Sequence, residues 1–259
     1  MNYLSVSFNI FGLNISLYGL LMAVGFIVAF IVCNSLFKKS GGFSKDVTID
    51  LLLLIFPLSI LGARIYYCVF SAESFTFIEF LQVWNGGLAI YGGIIGGFLG
   101  VVIYAIIKKI NILKLTDVIA VGLILAQSIG RIGCYFGGCC YGIEVTNPSL
   151  CWFPLSVLID GHWHLSTFFY EAIWNFIGFI ILFFVYNKTK QTGVTTGAYL
   201  AFYGLGRCVI EAFRGDSLYI GSIKVSQLLS GILMLVGAGL IVYSIIKSKK
   251  VKNEQKQIS

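Results

Sequence analysis

Four arginines and three clustered cysteines are the residues of this chain whose types and positions could do chemistry. Arg64, Arg131, Arg207 and Arg214 are its only arginines. Each falls near one end of a long apolar run, where an arginine is costly unless it faces protein, water or an anion. The planar guanidinium fork suits paired contacts with phosphate oxygens. Together they point to an anion-binding cavity. Tyr203, Arg207, Glu211 and Arg214 are spaced i, i+4, i+8 and i+11 and form one helical stripe. Glu211 is therefore placed to hold Arg207, a structural ion-pair network being the alternative reading. Arg214 stands beside Asp216 and reads as a surface pair. Glu171 and Asn175 lie one turn apart, and buried polar groups need partners, so that face looks into a bundle.

The thiols sit in GRIGCYFGGCCYG, residues 130–142, as Cys134, Cys139 and Cys140. The first reading is small apolar packing. The second is a reactive thiol, at Cys139 or Cys140 in the first place and with Cys134 as a further candidate, which requires exposure and a lowered pKa. The CxxxxCC spacing is not a standard zinc arrangement, and His162 and His164 in GHWH are a weak metal signal. No metal and no cofactor are expected. NGGLAIYGGIIGG at 85–97 is rich in glycine but lacks the strand-to-helix setting of a nucleotide fingerprint.

The elements that must position these groups are membrane helices. Of the 259 residues, 58% are hydrophobic and 11% charged, about half the charged share of soluble domains. Apolar runs of helical length predict seven spans, at 17–36, 48–70, 87–107, 116–136, 167–186, 195–213 and 223–246. The alternation of a membrane barrel is absent. The fold class is thus an all-α polytopic bundle, one domain over 1–246 with a solvated basic tail over 247–259. Residues 1–16 carry no basic residue, so no cleavable leader is expected. Seven cysteines, an odd number and several of them inside apolar spans, argue against a disulfide framework.

Thirteen of the 18 basic residues are lysines following the first, third, fifth and seventh spans. The positive-inside tendency makes that face cytoplasmic, with the N-terminus outside and the C-terminus cytoplasmic. All four arginines then belong to the outer half. The net charge of +7 reads as topology and contact with anionic lipids, not as nucleic-acid binding. The Tyr-Gly pairs at 18, 91, 141 and 203 fall in the same half, and the 137–166 loop is expected to cover the site from outside.

These segments resemble the bacterial phosphatidylglycerol–prolipoprotein diacylglyceryl transferases over almost the whole chain. LYGLLMAVGF (17–26), LGARIYYCVF (61–70), VWNGGLAIYGGIIGG (83–97), FFYEAIWN (168–175), YGLGRCVIEAFRGD (203–216) and SQLLS (226–230) are similar to successive motifs of that family. GRIGCYFGGCCYG resembles the signature Gly-Arg-x-Gly-Asn-Phe-x-Asn-x-Glu-x-x-Gly. The resemblance implies transfer of a diacylglyceryl group from phosphatidylglycerol to the lipobox cysteine of a prolipoprotein, by a monomer of the cytoplasmic membrane. It implies catalytic roles for Arg131, Arg207, Glu211 and Tyr91. It places Tyr18, Arg64, Gly92, Gly142 and Tyr203 with the two arginines around the lipid. The chain departs from the pattern at four places. Tyr91 stands where the family has histidine, Cys134 and Gly137 replace its two asparagines, and Cys139 replaces its glutamate. A phenol is a poor base at neutral pH. The alternatives are a divergent paralogue that binds phospholipid or serves another acceptor, and a thiol-redox membrane protein.

Overall fold

Among the described residues, seven helices of 18 to 34 residues are each built on one of the apolar runs. The computed structural model describes residues 7–10, 13–71, 77–82, 86–189, 191–214, 219–220 and 223–258. Lys190 and Asp216, used in the sequence reading, lie outside them, as do residues 83–85 of the glycine-rich motif. In order the elements are β1 (Ser7–Ile10), β2 (Leu13–Ser16), α1 (Leu17–Ser40), α2 (Val47–Phe70), α3 (Phe77–Leu81) and α4 (Ile90–Ile107). There follow α5 (Ile112–Gly137), β3 (Ser156–Ile159), β4 (His162–Leu165), α6 (Thr167–Lys188), α7 (Val194–Ala212), β5 (Tyr219–Ile220), β6 (Ile223–Lys224) and α8 (Val225–Ile258). Among the described residues six helices are long and apolar enough to cross a membrane. The seventh long helix, α7, has 19 residues, close to the ~20 that span a bilayer core. Its apolar character is diluted by Arg207 and Glu211.

Two features depart from the sequence expectation. Among the described residues there are three two-stranded antiparallel sheets outside the helices, of which β3–β4 pairs Ser156 with Leu165 and Ile159 with His162. Asp160 and Gly161 turn that hairpin with φ of 46° and 88°, the pair of positive values that Asp-Gly favours in two-residue turns. Residues 247–258, expected as a solvated tail, continue α8 as helix.

Contacts divide the chain into two units, residues 1–33 with 117–259 and residues 34–116. In the second, α2 and α4 touch backbone to backbone. A Cβ on Gly92 would lie 2.2 Å from the Gly62 carbonyl oxygen, and one on Gly96 would lie 2.1 Å from that of Leu58. Such close approach by small residues is how helices associate where lipid removes the hydrophobic drive.

In the first unit α5 is the central element, with Val118, Val121 and Ile124 fully buried. Gly25 of α1 packs on Ala126, and Ser128 Oγ donates to the Ala172 carbonyl of α6 at 2.8 Å. The buried Asp117 carboxylate accepts from Gly193 N at 2.6 Å, Thr196 N at 2.8 Å and Thr196 Oγ1 at 2.7 Å. A carboxylate at the start of α7 satisfies amides that have no partner inside that helix. This pins α7 to α5. Stacking of Trp174 on Phe202, centroids 4.5 Å apart, joins α7 to α6.

Candidate active site

The sequence of α5, α6 and α7 brings five charged side chains into one line. Glu171, in the second turn of α6, is 3% exposed and stands between two arginines. Its Oε1 lies 2.8 Å from Arg131 Nη2 on α5, and its Oε2 accepts from Arg207 Nη1 on α7 at 2.9 Å. Arg207 Nη2 reaches Glu211 Oε2 at 3.0 Å, the pairing expected of the i, i+4 spacing. Arg214 Nη1 lies 4.0 Å from the same oxygen. Signs therefore alternate from Arg131 through Glu171, Arg207 and Glu211 to Arg214, with one positive charge in excess. Burying charges is tolerable only when each is paired and hydrogen-bonded, and here every carboxylate is shared.

Glu171 is the residue whose weight the sequence reading underestimated. The resemblance of FFYEAIWN to a family motif is its available signal in the sequence. Lys224 is a second such residue. Its Nζ donates to the carbonyls of Glu211 at 2.8 Å and Arg214 at 2.9 Å, closing the C-terminal end of α7. One turn beyond Glu171, Asn175 is fully buried, and neither its Oδ1 nor its Nδ2 has a hydrogen-bond partner among the described residues. The Tyr203 hydroxyl sits against Arg131, and its ring stacks on Tyr199 at 5.8 Å. The Tyr18 ring lies over Gly133 and Gly137 of α5, 3.3 and 3.4 Å from where Cβ atoms would stand.

Gly142 is explained by proximity rather than by a turn. A Cβ there would be 2.7 Å from the Phe213 carbonyl oxygen and 2.9 Å from both Leu165 Cβ and Thr167 Cγ2. Its N–H donates to the Leu165 carbonyl at 2.8 Å, and Ile143 N–H to that of Phe213 at 2.9 Å. The segment after α5 is thus sewn to β4 and to the end of α7. The histidines belong to this stitching. His164 Nδ1 is 3.1 Å from the Gly142 carbonyl, and His162 Nδ1 is 2.7 Å from Glu144 Oε1.

The three cysteines converge at the same end of α5. Their sulfurs lie within 4.8 Å of one another, which the CxxxxCC spacing alone does not announce. Cys134 is buried with Val157, Ile159 and Phe168, and Cys139 and Cys140 pack against that cluster. Arg131 Nη1 donates to Cys140 Sγ at 3.4 Å. Hydrogen bonds from the Cys134 and Cys139 thiols hold the Cys140 thiol well below its ordinary pKa, helped by Arg131 and Arg214 against the opposing effect of burial.

Three of the expected site residues, Arg64 and Gly92 of the lipid set and Tyr91 of the catalytic set, belong to the other unit. Arg64 is buried there, and its guanidinium donates to the backbone carbonyls of Phe80 at 3.0 Å, Gly86 at 2.8 Å, Gly87 at 3.0 Å and Glu79. It ties Glu79 and Phe80 to Gly86 and Gly87 and borders a cavity of about 330 Å³ otherwise lined by apolar residues, among them Phe56, Ile60 and Leu81. Gly92 is consumed by the contact of α4 with α2. Tyr91 is partly exposed, its ring 6.2 Å from that of Tyr66.

The profile of the prolipoprotein diacylglyceryl transferases matches residues 5–243. This chain belongs to that family. It is 38% identical over 252 residues to phosphatidylglycerol–prolipoprotein diacylglyceryl transferase 1 of Clostridium perfringens, covering 95% of this chain and 96% of that one. It is 37% identical over 250 residues to the transferase of Listeria innocua, covering 93% and 90%. A Clostridium botulinum transferase is 38% identical over 253 residues, covering 95% and 98%. Within the matched span, Arg131, Arg207 and Glu211 are drawn by the fold into one network with Glu171.

Proposed function

We propose that this chain transfers the sn-1,2-diacylglyceryl group of phosphatidylglycerol to the cysteine thiol of a prolipoprotein lipobox, forming a thioether and releasing glycerol phosphate. The observation that carries the reading is the pairing of Arg131 and Arg207 through the one carboxylate of Glu171, in an array with positive charge in excess. In this reading the two guanidiniums grip the phosphate of the lipid. As the bond from the glyceryl carbon to the phosphate oxygen breaks, charge builds on that oxygen, and preorganised donors in a dry site stabilise it strongly. Glu171 and Glu211 keep the guanidiniums in place, so no reorganisation is needed at that moment. The acceptor thiol, with an ordinary pKa near 8.5, gains thiolate character in an electropositive pocket. Tyr91, at the family's histidine position, donates a hydrogen bond to a lipid ester or phosphate oxygen. Tyr18, Gly142 and Tyr203 border the headgroup. The protein works as a monomer in the cytoplasmic membrane, N-terminus outside, with its lysines against anionic lipid on the cytoplasmic face and the site toward the outer leaflet.

The test is direct. Purified protein is mixed with phosphatidylglycerol and a lipobox peptide, and the peptide mass is followed. A diacylglyceryl mass gain, absent in Arg207→Ala, is expected. No gain while the Clostridium perfringens relative works in parallel would overturn the reading. It would favour a divergent paralogue with another acceptor, which the substitutions at Tyr91, Cys134 and Cys139 motivate.

A further inference from the structure

The scheme above leaves Cys134, Cys139 and Cys140 without a task, although they stand beside Arg131. Three sulfurs within 4.8 Å of one another form a concentrated donor set. Metal–sulfur bonds of about 2.3 Å place sulfurs about 3.8 Å apart in a tetrahedral site, so small rotations about the Cα–Cβ bonds close the difference. The backbone is shaped for this convergence. Cys140 has a φ of 64°, a left-handed conformation that non-glycine residues adopt at a cost when the surroundings require it. It lets two consecutive cysteines join Cys134 in one cluster. Thr167 Oγ1 fixes the turn by donating to the Cys140 carbonyl at 2.7 Å, and Cys139 N–H donates to the Cys134 carbonyl at 3.2 Å. Among the described residues neither histidine nor carboxylate shares the cluster, and thiolates alone select zinc-like or cuprous ions over magnesium or calcium. A divalent cation on three thiolates carries one net negative charge. Arg131 Nη1, 3.4 Å from Cys140 Sγ, supplies the N–H···S contact and the counter-charge that such a centre needs.

We propose that Cys134, Cys139 and Cys140 bind a thiophilic divalent cation, zinc in the first instance, and that its fourth coordination position takes the acceptor thiol. The first half stands on the geometry alone, and the second rests on the transferase reading. Three protein ligands with one open position is the arrangement of reactive rather than structural zinc sites. On coordination the acceptor S–H loses its proton to solvent, since a metal-bound thiol is deprotonated outright. The sulfur's electron pair then forms the S–C bond to the glyceryl carbon. The C–O bond to phosphate breaks, and glycerol phosphate leaves with the electron pair of that C–O bond toward Arg131 and Arg207. The resulting thioether is a weak ligand and departs. This gives the chain an activated acceptor although Tyr91 replaces the family's histidine.

The test uses the full chain loaded with Co²⁺ or Zn²⁺ and desalted. Expected are one ion per chain and, with Co²⁺, sulfur-to-metal charge-transfer absorption with the intense visible bands of a tetrahedral thiolate site. Both should vanish when Cys139→Ser and Cys140→Ser are combined, and both should persist in Cys151→Ser. Wild-type protein that retains no ion and gives no thiolate bands overturns the site, whatever the variants do, as do bands unchanged in the double variant. Lipobox-peptide lipidation is then measured on metal-free and zinc-reloaded protein, with a rise on reloading of about tenfold or more expected. An equal rate in both states overturns the thiol-activating role. Thiolate bands without thioether in either state leave the metal site standing and overturn the transferase reading instead.

Discussion

Replacing Glu171 by glutamine removes the charge that Arg131 and Arg207 share while keeping the volume. The side chain is 4% exposed, and the two arginines are 21% and 15% exposed, so solvent screening is slight. At an effective dielectric near 20, unit charges about 4 Å apart attract by about 4 kcal/mol, and Glu171 makes two such pairs. The desolvation cost of the carboxylate, which the substitution relieves, offsets part of this. Losing one partner of a buried pair costs about 3–5 kcal/mol in measured cases. The glutamine amide can still accept from one guanidinium, but its NH₂ group must face the other, donor against donor. One arginine then swings from its position. If that costs the transition state about 2.7 kcal/mol, the rate falls about 100-fold. The assay is the initial rate of lipobox-peptide mass gain, run beside a thermal melt of the same preparation. Expected is a loss of kcat/KM of about 100-fold or more with a lowered Tm. Glu171→Asp, which keeps the charge but is one methylene too short to hold both arginines, should fall between. A Glu171→Gln protein that melts with wild type and reacts within about threefold of it would refute the idea that the shared carboxylate positions the arginines.

Arg207→Lys keeps the charge but loses the fork that meets Glu171 and Glu211 together, so lipidation should fall by at least about tenfold, while the melt moves less than for Arg207→Ala. Gly142→Ala places a Cβ 2.7 Å from the Phe213 carbonyl oxygen and should cost about 1–3 kcal/mol, read as a lowered Tm. Arg64→Met strands the carbonyls of Glu79, Phe80, Gly86 and Gly87. Amide exchange at residues 79–82 and 86–89 should quicken while the KM for phosphatidylglycerol holds. A raised KM with exchange unchanged would return Arg64 to the lipid cavity.

The long helices were legible because a bilayer imposes a length and an apolar composition that no other setting demands. The arginine stripe of α7 was legible for a related reason, since helical spacing alone fixes which residues share a face. What escaped depends on distant partners. Nothing in FFYEAIWN says that Glu171 meets Arg131, 40 residues upstream, and Arg207, 36 downstream, at once. Arg64 looks like its three counterparts in sequence, and only the fold brings the carbonyls of Glu79, Phe80, Gly86 and Gly87 to its guanidinium. The convergence of the cysteines hinges on one backbone angle at Cys140, which composition does not encode. The β3–β4 hairpin did carry a local signal, Asp160-Gly161, in a chain otherwise read for helical runs.

The glycine seam between α2 and α4 also fixes a bearing. With Gly92 and Gly96 against the backbone of Gly62 and Leu58, any turn of α4 about its own axis would drive a side chain into the neighbouring main chain. The helix is therefore keyed to a single angle, as a shaft is by a flat. Tyr91 adjoins the key, so its direction is set by an atom that is missing from the next residue rather than by any contact of its own ring. Compass and depth of that phenol are inherited from a place with no side chain at all.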